Sequence, residues 1–304
     1  MSRKLNQIRM NLDWNDLMES FLCEKAAQQR SDRTLKDYRF HIKQFFNRYP
    51  NGDLKENLYS YLAEECASAT YNLRLVYLKA FFKWCIAEGW IDTNPLSNIS
   101  QKRAEPRIVD IDLRDLKQLV ELPDITTYTG LRDKAMICLT LDTGIRPSEM
   151  CKLSIDDYYV KFHQIIVRAE IAKTRMQRTL PIGPATCNLI NRIIMIRPKD
   201  WTKSSPLFAS CDGSMMHTNA WGDRLQYYSK FLDVKICPYD LRHVFALEFL
   251  RNGGNALFLQ RILGHTDLTM TKRYVAATND DLKSALQSAS PLNNLVKKTR
   301  LRNI

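Results

Sequence analysis

Apolar residues return every three to four positions over most of this chain, the period of a helix with one buried face. Trp14, Leu17, Met18, Phe21 and Leu22 form the first such stripe. Leu35, Tyr38, Ile42, Phe45 and Tyr49 form a second, behind the helix-start pair Ser31-Asp32. A third runs from Leu73 through Val76, Tyr77, Phe81 and Trp84 to Glu88-Gly89-Trp90, where Gly89 supplies a left-handed cap. Further on, Leu113, Leu116, Leu119 and Val120 repeat the pattern, and the apolar run from Leu131 to Leu141 breaks at Thr143-Gly144. Asp240 to Asn252 reads as a helix ended by Gly253-Gly254, and Ala256 to Leu263 as one capped by Gly264. One stretch differs. Ile165-Ile166-Val167 is β-branched, and Arg178 to Ile182 can pair back on it across a polar turn at Thr174 to Gln177. The pattern predicts a mainly α fold with one small β-hairpin.

Asn94-Pro95 and Pro106-Arg107 bracket a segment poor in apolar residues, and proline disfavours helix before it. A helical first domain over residues 1–100, a linker over 101–107 and a second domain over 108–304 are therefore expected. Charge sharpens that division. The net charge of +12 is carried almost entirely by residues 101–304, with 31 basic and 21 acidic side chains against 14 and 12 before them. A basic surface favours polyanions, nucleic acid first among them. Arg39 and Lys43, and again Lys79 and Lys83, lie one helical turn apart, and Lys102-Arg103 sits in the linker; each pair suits neighbouring phosphates as well as it suits a solvated surface. No apolar run reaches the length of a membrane span, and the first residues carry no signal-peptide pattern, so a cytoplasmic location, nucleoid-associated when on DNA, is expected. The eight cysteines show no CxxC pair and no zinc spacing, and read as reduced thiols.

The chemistry-bearing positions are spread along the second domain. Arg146 follows a glycine turn in Thr143-Gly144-Ile145-Arg146-Pro147-Ser148-Glu149, with Glu149 placed to hold it. Lys173 sits at the edge of the expected hairpin turn. Arg242 and His243 are expected to begin a helix, where backbone N–H groups favour an anion. His265 follows a glycine cap, and Tyr274 comes nine residues later. Breaking a phosphodiester needs a nucleophile, cations on the non-bridging oxygens and an acid for the leaving oxygen. Arginine suits the second task because its fork binds two oxygens and stays charged. Singly, each of these residues has an ordinary structural reading; together they supply a nucleophile, two guanidiniums and two proton-handling groups.

In that order and spacing the chain resembles the tyrosine recombinases, the phage integrases and Xer-type enzymes. The matching segments are residues 143–149, 172–182, 239–246 and 263–274, and the first domain, with Thr34 to Tyr38 and Asn94-Pro95, looks like the family's core-binding domain. The resemblance implies a two-domain, C-shaped clamp on duplex DNA, working as a homotetramer on specific sites, with no metal or nucleotide cofactor. It implies Tyr274 as a nucleophile forming a 3′-phosphotyrosyl link, Arg146 and Arg242 on the phosphate with Glu149 in support, Lys173 as acid for the 5′-hydroxyl, and His265 assisting. One position departs from the family: Tyr239 stands where a histidine is usual. A phenol there can bond a phosphate or orient Tyr274 but supplies no accessible proton near neutral pH. His243, about 100° further round the helix than Arg242, is expected to be a poor replacement. Beyond Tyr274, Leu282, Ala285 and Leu286 fall at helical spacing, and the resemblance implies a tail that docks on a neighbouring protomer, while the basic residues Lys297, Lys298, Arg300 and Arg302 suit a frayed end equally. Two other functions share parts of the set: a tyrosine-type topoisomerase, and an inactive DNA-binding regulator on the same scaffold.

Overall fold

The computed structural model describes residues 13–103, 111–202, 204–277 and 290. The chain divides into two compact units, Met1–Glu105 and Pro106–Ile304. Most of the expected linker, from residue 104, and the expected C-terminal tail lie outside the described residues.

Among its described residues unit 1 has four helices: α1 (Trp14–Ala27), α2 (Asp32–Arg48), α3 (Leu54–Ala63) and α4 (Ser68–Ala87). Their starts are chemically specified. Asp13, Ser31 and Asp53 each accept a main-chain N–H of the first turn, which otherwise has no partner. Met18, Phe21, Ile42, Phe45, Leu58, Tyr61, Leu78 and Phe81 fill the core with no more than 1% exposure. Burying each stabilises the unit by roughly 1.5–3 kcal/mol before entropy is charged. The buried face of α4 matches the expected one only in part: Phe81 and Trp84 are buried, but the first two members of the stripe are not. Leu73 is 49% exposed and Val76 44%, while Tyr71, Arg74, Leu75, Leu78 and Phe82 point inward. This helix is apolar on nearly every side, and Arg74 goes inside because Tyr61 O and Glu64 accept from its guanidinium, which also lies over the Tyr61 ring.

Unit 2 is built round α6 (Tyr128–Thr143), which packs on α8 (Pro184–Ile196) and α10 (Pro238–Arg251). α5 (Leu113–Glu121) leans on α6, though Leu113 faces solvent. α7 (Pro147–Met150) is a single turn, and α9 (Thr218–Ser229), α11 (Ala256–Leu263) and α12 (Thr269–Ala277) complete the helices. The expected hairpin is present as β2 (Gln164–Val167) and β3 (Arg178–Pro181), antiparallel with Ile165 opposite Leu180. It gains a third strand, β1 (Tyr158–Tyr159), too short to show a period. Its connection spans residues 168–177 and includes turns at 169–171 and 173–174, the second overlapping the expected polar turn. Nothing in the apolar pattern predicted α3, α8, α9 or α12. A buried charge cluster stiffens the core: Asp133 accepts from Arg132, Arg224 and Tyr228. The fold is thus mainly helical with a small antiparallel sheet. Among the described residues no helix is long and apolar enough to cross a membrane.

Candidate active site

Two left-handed glycines shape the site. Gly144 ends α6 at φ +58° and Gly264 ends α11 at φ +63°. A Cβ on Gly144 would meet Phe245 at 2.4 Å and Leu263 at 2.7 Å, so α6 and α11 meet at a point where only glycine fits. The chain leaves Gly144 into Arg146, and α7 starts at once on Pro147.

Glu149 is the hub. It is fully buried, and its two oxygens accept from Arg146 Nη1 (3.1 Å), from Arg178 Nη2 (2.5 Å) and Nη1 (3.3 Å), and from the Lys173 main-chain N–H (3.1 Å). Burial alone would raise its carboxyl pKa; the Arg178 guanidinium, with Lys173 N–H and Arg146, outweighs that and holds it below the usual range. The guanidiniums are then completed by main-chain carbonyls. Arg146 Nη2 donates to Gly264 O (3.1 Å), and Arg178 Nε to Ile262 O (3.0 Å).

Arg242 is 4% exposed and donates to Gly144 O (2.5 Å) and Leu263 O (3.0 Å). These carbonyls belong to the C-terminal ends of α6 and α11, the negative poles of the helices. Burial, and then the neighbouring Arg146, lower the Arg242 pKa to about 9, which leaves it cationic at neutral pH. The expectation that Arg242 opens its helix is corrected: Pro238 takes the first position, and Cys237 with Asp240 forms the capping box, so Arg242 is one turn inside. What seats it is the two carbonyls, not a helix N-terminus.

His265 Nε2 lies 3.2 Å from Arg242 Nη2, and its Nδ1 lies 2.9 Å from Thr271 Oγ1. An arginine can only donate, so Nε2 is bare and Nδ1 carries the proton. Burial first, then Arg242 and Arg146, push its pKa down to about 4. Tyr274 on α12 is 4% exposed, and its hydroxyl sits 2.7 Å from His243 Nδ1. Burial raises the phenol pKa, against the pull of Arg242, Arg273 and Arg146. Four of the expected residues, Arg146, Arg242, His265 and Tyr274, thus share one cluster with Glu149. Lys173 joins it through its main chain, with its side chain exposed. Beside the cluster lies an open groove of about 690 Å³, lined by residues including Thr174, Arg178, Phe258, Gln260, Gly264 and His265.

A family model for the phage integrase family matches residues 111–280. The chain belongs to the phage integrase family. The tyrosine recombinase XerC of Thermodesulfovibrio yellowstonii is 31% identical over 281 residues, covering 86% of this chain and 91% of the relative. The integrase of transposon Tn1549, solved with transposon right-end DNA, superposes at TM-score 0.68 with 21% identity, covering 90% and 99%. A lambda integrase tetramer bound to a Holliday junction superposes at 0.70 with 17% identity, covering 88% and 78%. As a member of the tyrosine recombinases the chain is a DNA strand-transferase, acting in site-specific recombination.

Two features of this integrase site escape sequence reasoning. The first is Arg178, which the sequence pattern places on a strand; its place in the 172–182 segment is the signal for a further role. The second is the contact of His243 with Tyr274. His243 lies 100° from Arg242, but four residues after Tyr239, only about 40° away on the same face. Tyr239 itself is 49% exposed, and the side chain that reaches the Tyr274 hydroxyl is His243. Of the basic pairs in unit 1, Arg39 forks onto Glu19 and Lys43 is exposed beside it on a groove of α2. Lys79 is tied to Ile99 O (2.5 Å), while Lys83 is exposed. Lys102 is pinned by Asn72 and lies over the Tyr71 ring, and Arg103 is exposed. Among the described residues no group of three or more His, Cys, Asp or Glu side chains is placed to hold a metal ion.

Proposed function

We propose that Tyr274 is the nucleophile of this recombinase and that Arg146, Arg178 and Arg242 form the seat for the scissile phosphate. The observation that carries this is the charge of the cluster. Three buried or half-buried guanidiniums face one carboxylate, Glu149, so the site holds a surplus of positive charge that a phosphate neutralises. The Tyr274 hydroxyl attacks phosphorus, the P–O5′ bond breaks, and Lys173 protonates the departing 5′-oxygen. His265, neutral at physiological pH, accepts from Arg242 through Nε2 and so orients that guanidinium toward the phosphate without adding charge of its own. The link so formed, a 3′-phosphotyrosine, keeps the energy of the broken bond for rejoining. Glu149 aims Arg146 and Arg178, and Tyr239, half exposed at the rim, faces the DNA.

In this reading residues 1–100 form the core-binding domain, 101–107 the linker and 108–304 the catalytic domain. Arg39, Lys43, Lys79, Lys83, Lys102 and Arg103 line the duplex flanking the site, Lys79 and Lys102 chiefly by holding the segment that bears them. The working form is a homotetramer on two specific sites, as lambda integrase is a tetramer on a Holliday junction, with the segment after residue 277 passing between protomers.

The test is covalent capture. A pool of nicked suicide duplexes, randomised in the recognition segment, is incubated with the protein and run on a denaturing gel. Wild type forms an adduct with selected duplexes and Tyr274→Phe forms none while still shifting them on a native gel. An adduct that survives Tyr274→Phe overturns the nucleophile assignment, and adducts on every duplex alike point to a topoisomerase instead.

A further inference from the structure

Resting on Tyr274 as nucleophile, the geometry points to His243 as the group that takes the tyrosine proton during strand cleavage, and we propose it as a catalytic residue of this chain. A phenol must lose its proton as its oxygen bonds to phosphorus, and an acceptor must lie within hydrogen-bond reach of that oxygen. His243 Nδ1 is 2.7 Å from the Tyr274 hydroxyl. The other imidazole of the cluster is already engaged: His265 turns Nε2 to Arg242 and Nδ1 to Thr271. Glu149 has both oxygens committed to Arg146 and Arg178. Lys173 carries an ammonium and accepts nothing.

The placement follows from the helix. α12 packs against α10, and Tyr274 sits in an apolar cluster with Phe245 and Leu247. That seat brings its hydroxyl to the side of α10 that carries both position 239 and position 243. Tyr239 is a phenol that carries its own proton and offers no basic nitrogen to receive another. One turn further along the same face, an imidazole does.

The step balances. The Tyr274 Oη–phosphorus bond forms as the phosphorus–O5′ bond breaks. The phenolic proton passes to His243 Nδ1, and the 5′-oxygen takes a proton from Lys173. In rejoining, a 5′-hydroxyl attacks phosphorus, its proton returns to Lys173, and Tyr274 leaves with the proton held by His243. For this the neutral His243 ring carries its own proton on Nε2, with Nδ1 bare toward the phenol.

The experiment uses the full chain, the selected nicked duplexes, and His243→Gln, which keeps a hydrogen-bonding side chain of similar reach but accepts no proton. Duplex binding by native gel shift should stay within a few-fold of wild type, while the rate of adduct formation falls roughly 10²-fold or more. The decisive arm places 2,3,5-trifluorotyrosine, whose phenol ionises more readily, at position 274 in both backgrounds. If His243 accepts the proton, the fluorinated tyrosine restores a large part of the lost rate in His243→Gln and changes the wild-type background little. An equal effect in both backgrounds overturns the proposal, since a purely positional contact is indifferent to phenol acidity. Unchanged cleavage in His243→Gln overturns it outright. Faster cleavage also overturns it, by making the contact a latch on the resting nucleophile. If wild type itself yields no adduct with any duplex, it is the nucleophile assignment that fails.

Discussion

Removing Glu149 should unseat the arginine cluster and leave an anion-shaped defect. In Glu149→Ala, Arg146 and Arg178 keep one carbonyl partner each, Gly264 O and Ile262 O, and lose the carboxylate they share. The Lys173 N–H loses its acceptor as well. Breaking a buried ion pair by removing one partner costs about 3–5 kcal/mol, because the charge left behind stays desolvated. The second unit, Pro106–Ile304, is of a size at which 1 kcal/mol shifts the melting temperature by roughly 2–4 °C, so a fall of ~6–20 °C is expected in a calorimetric scan. Glu149→Gln keeps the shape and one acceptor, and should fall about half as far, since charge-assisted hydrogen bonds are roughly twice as strong as neutral ones. Sulfate adds the specific check. An anion that enters the uncompensated cluster stabilises the folded state by mass action, so added sulfate should raise the melting temperature of Glu149→Gln more than that of wild type. The pH dependence follows from the depressed carboxyl pKa. Glu149 contributes stability above its ordinary value of 4.5, and the contribution fades as pH falls through the lower folded value. The gap between wild type and Glu149→Gln is therefore flat from neutrality down to about pH 5 and closes below that. A melting temperature unchanged by Glu149→Ala, or equal sulfate gains in wild type and Glu149→Gln, would refute this account of the cluster.

Three further outcomes are expected. Gly144→Ala adopts a left-handed conformation at about 1–2 kcal/mol and forces its Cβ against Phe245 and Leu263, adding about 1–3 kcal/mol; urea unfolding should show a loss of ~2–5 kcal/mol, and a loss under 1 kcal/mol would mean the close approach is not as described. His265 has a folded pKa of about 4 against an ordinary 6.5, so the folded state binds fewer protons between those values and stability rises with pH across that window; replacing it with Gln should flatten the slope, and an unchanged slope would show the imidazole is not desolvated. Lys43→Ala should weaken duplex binding evenly across sequences and reduce the slope of log affinity against log salt by about 1, read by fluorescence anisotropy in a salt series; an unaltered slope would remove Lys43 from the phosphate contacts.

Helix existence was legible wherever one face is apolar and the other polar, as in α2, or where a glycine closes the run, as at Gly144 and Gly264. Which face is buried was less legible where period carries no contrast. In α4 nearly every side is apolar, so Leu73 and Val76 fit the period as well as Phe81 and Trp84, yet the first two are exposed while Arg74, held by Tyr61 O and Glu64, turns inward. The site's glycines, arginines and tyrosine were legible as motifs, because each must recur at a fixed place for the chemistry. Arg178 was not, since its partner Glu149 is 29 residues away and lies across a connection whose path no local rule sets. The contact of His243 with Tyr274 was not legible, because the side of α10 that α12 covers is decided by packing.

The carbonyls of Gly144 and Gly264 are crossed over. The oxygen at the end of α6 holds Arg242, which belongs to α10, while the oxygen at the end of α11 holds Arg146, which follows α6. Neither arginine motif is therefore self-sufficient: each is aimed by the stop signal of the other's neighbourhood. Transplanting residues 143–149 or 239–246 alone into another scaffold would carry the guanidinium without its sight, and only a graft that moves both glycine stops together would bring over a working pair.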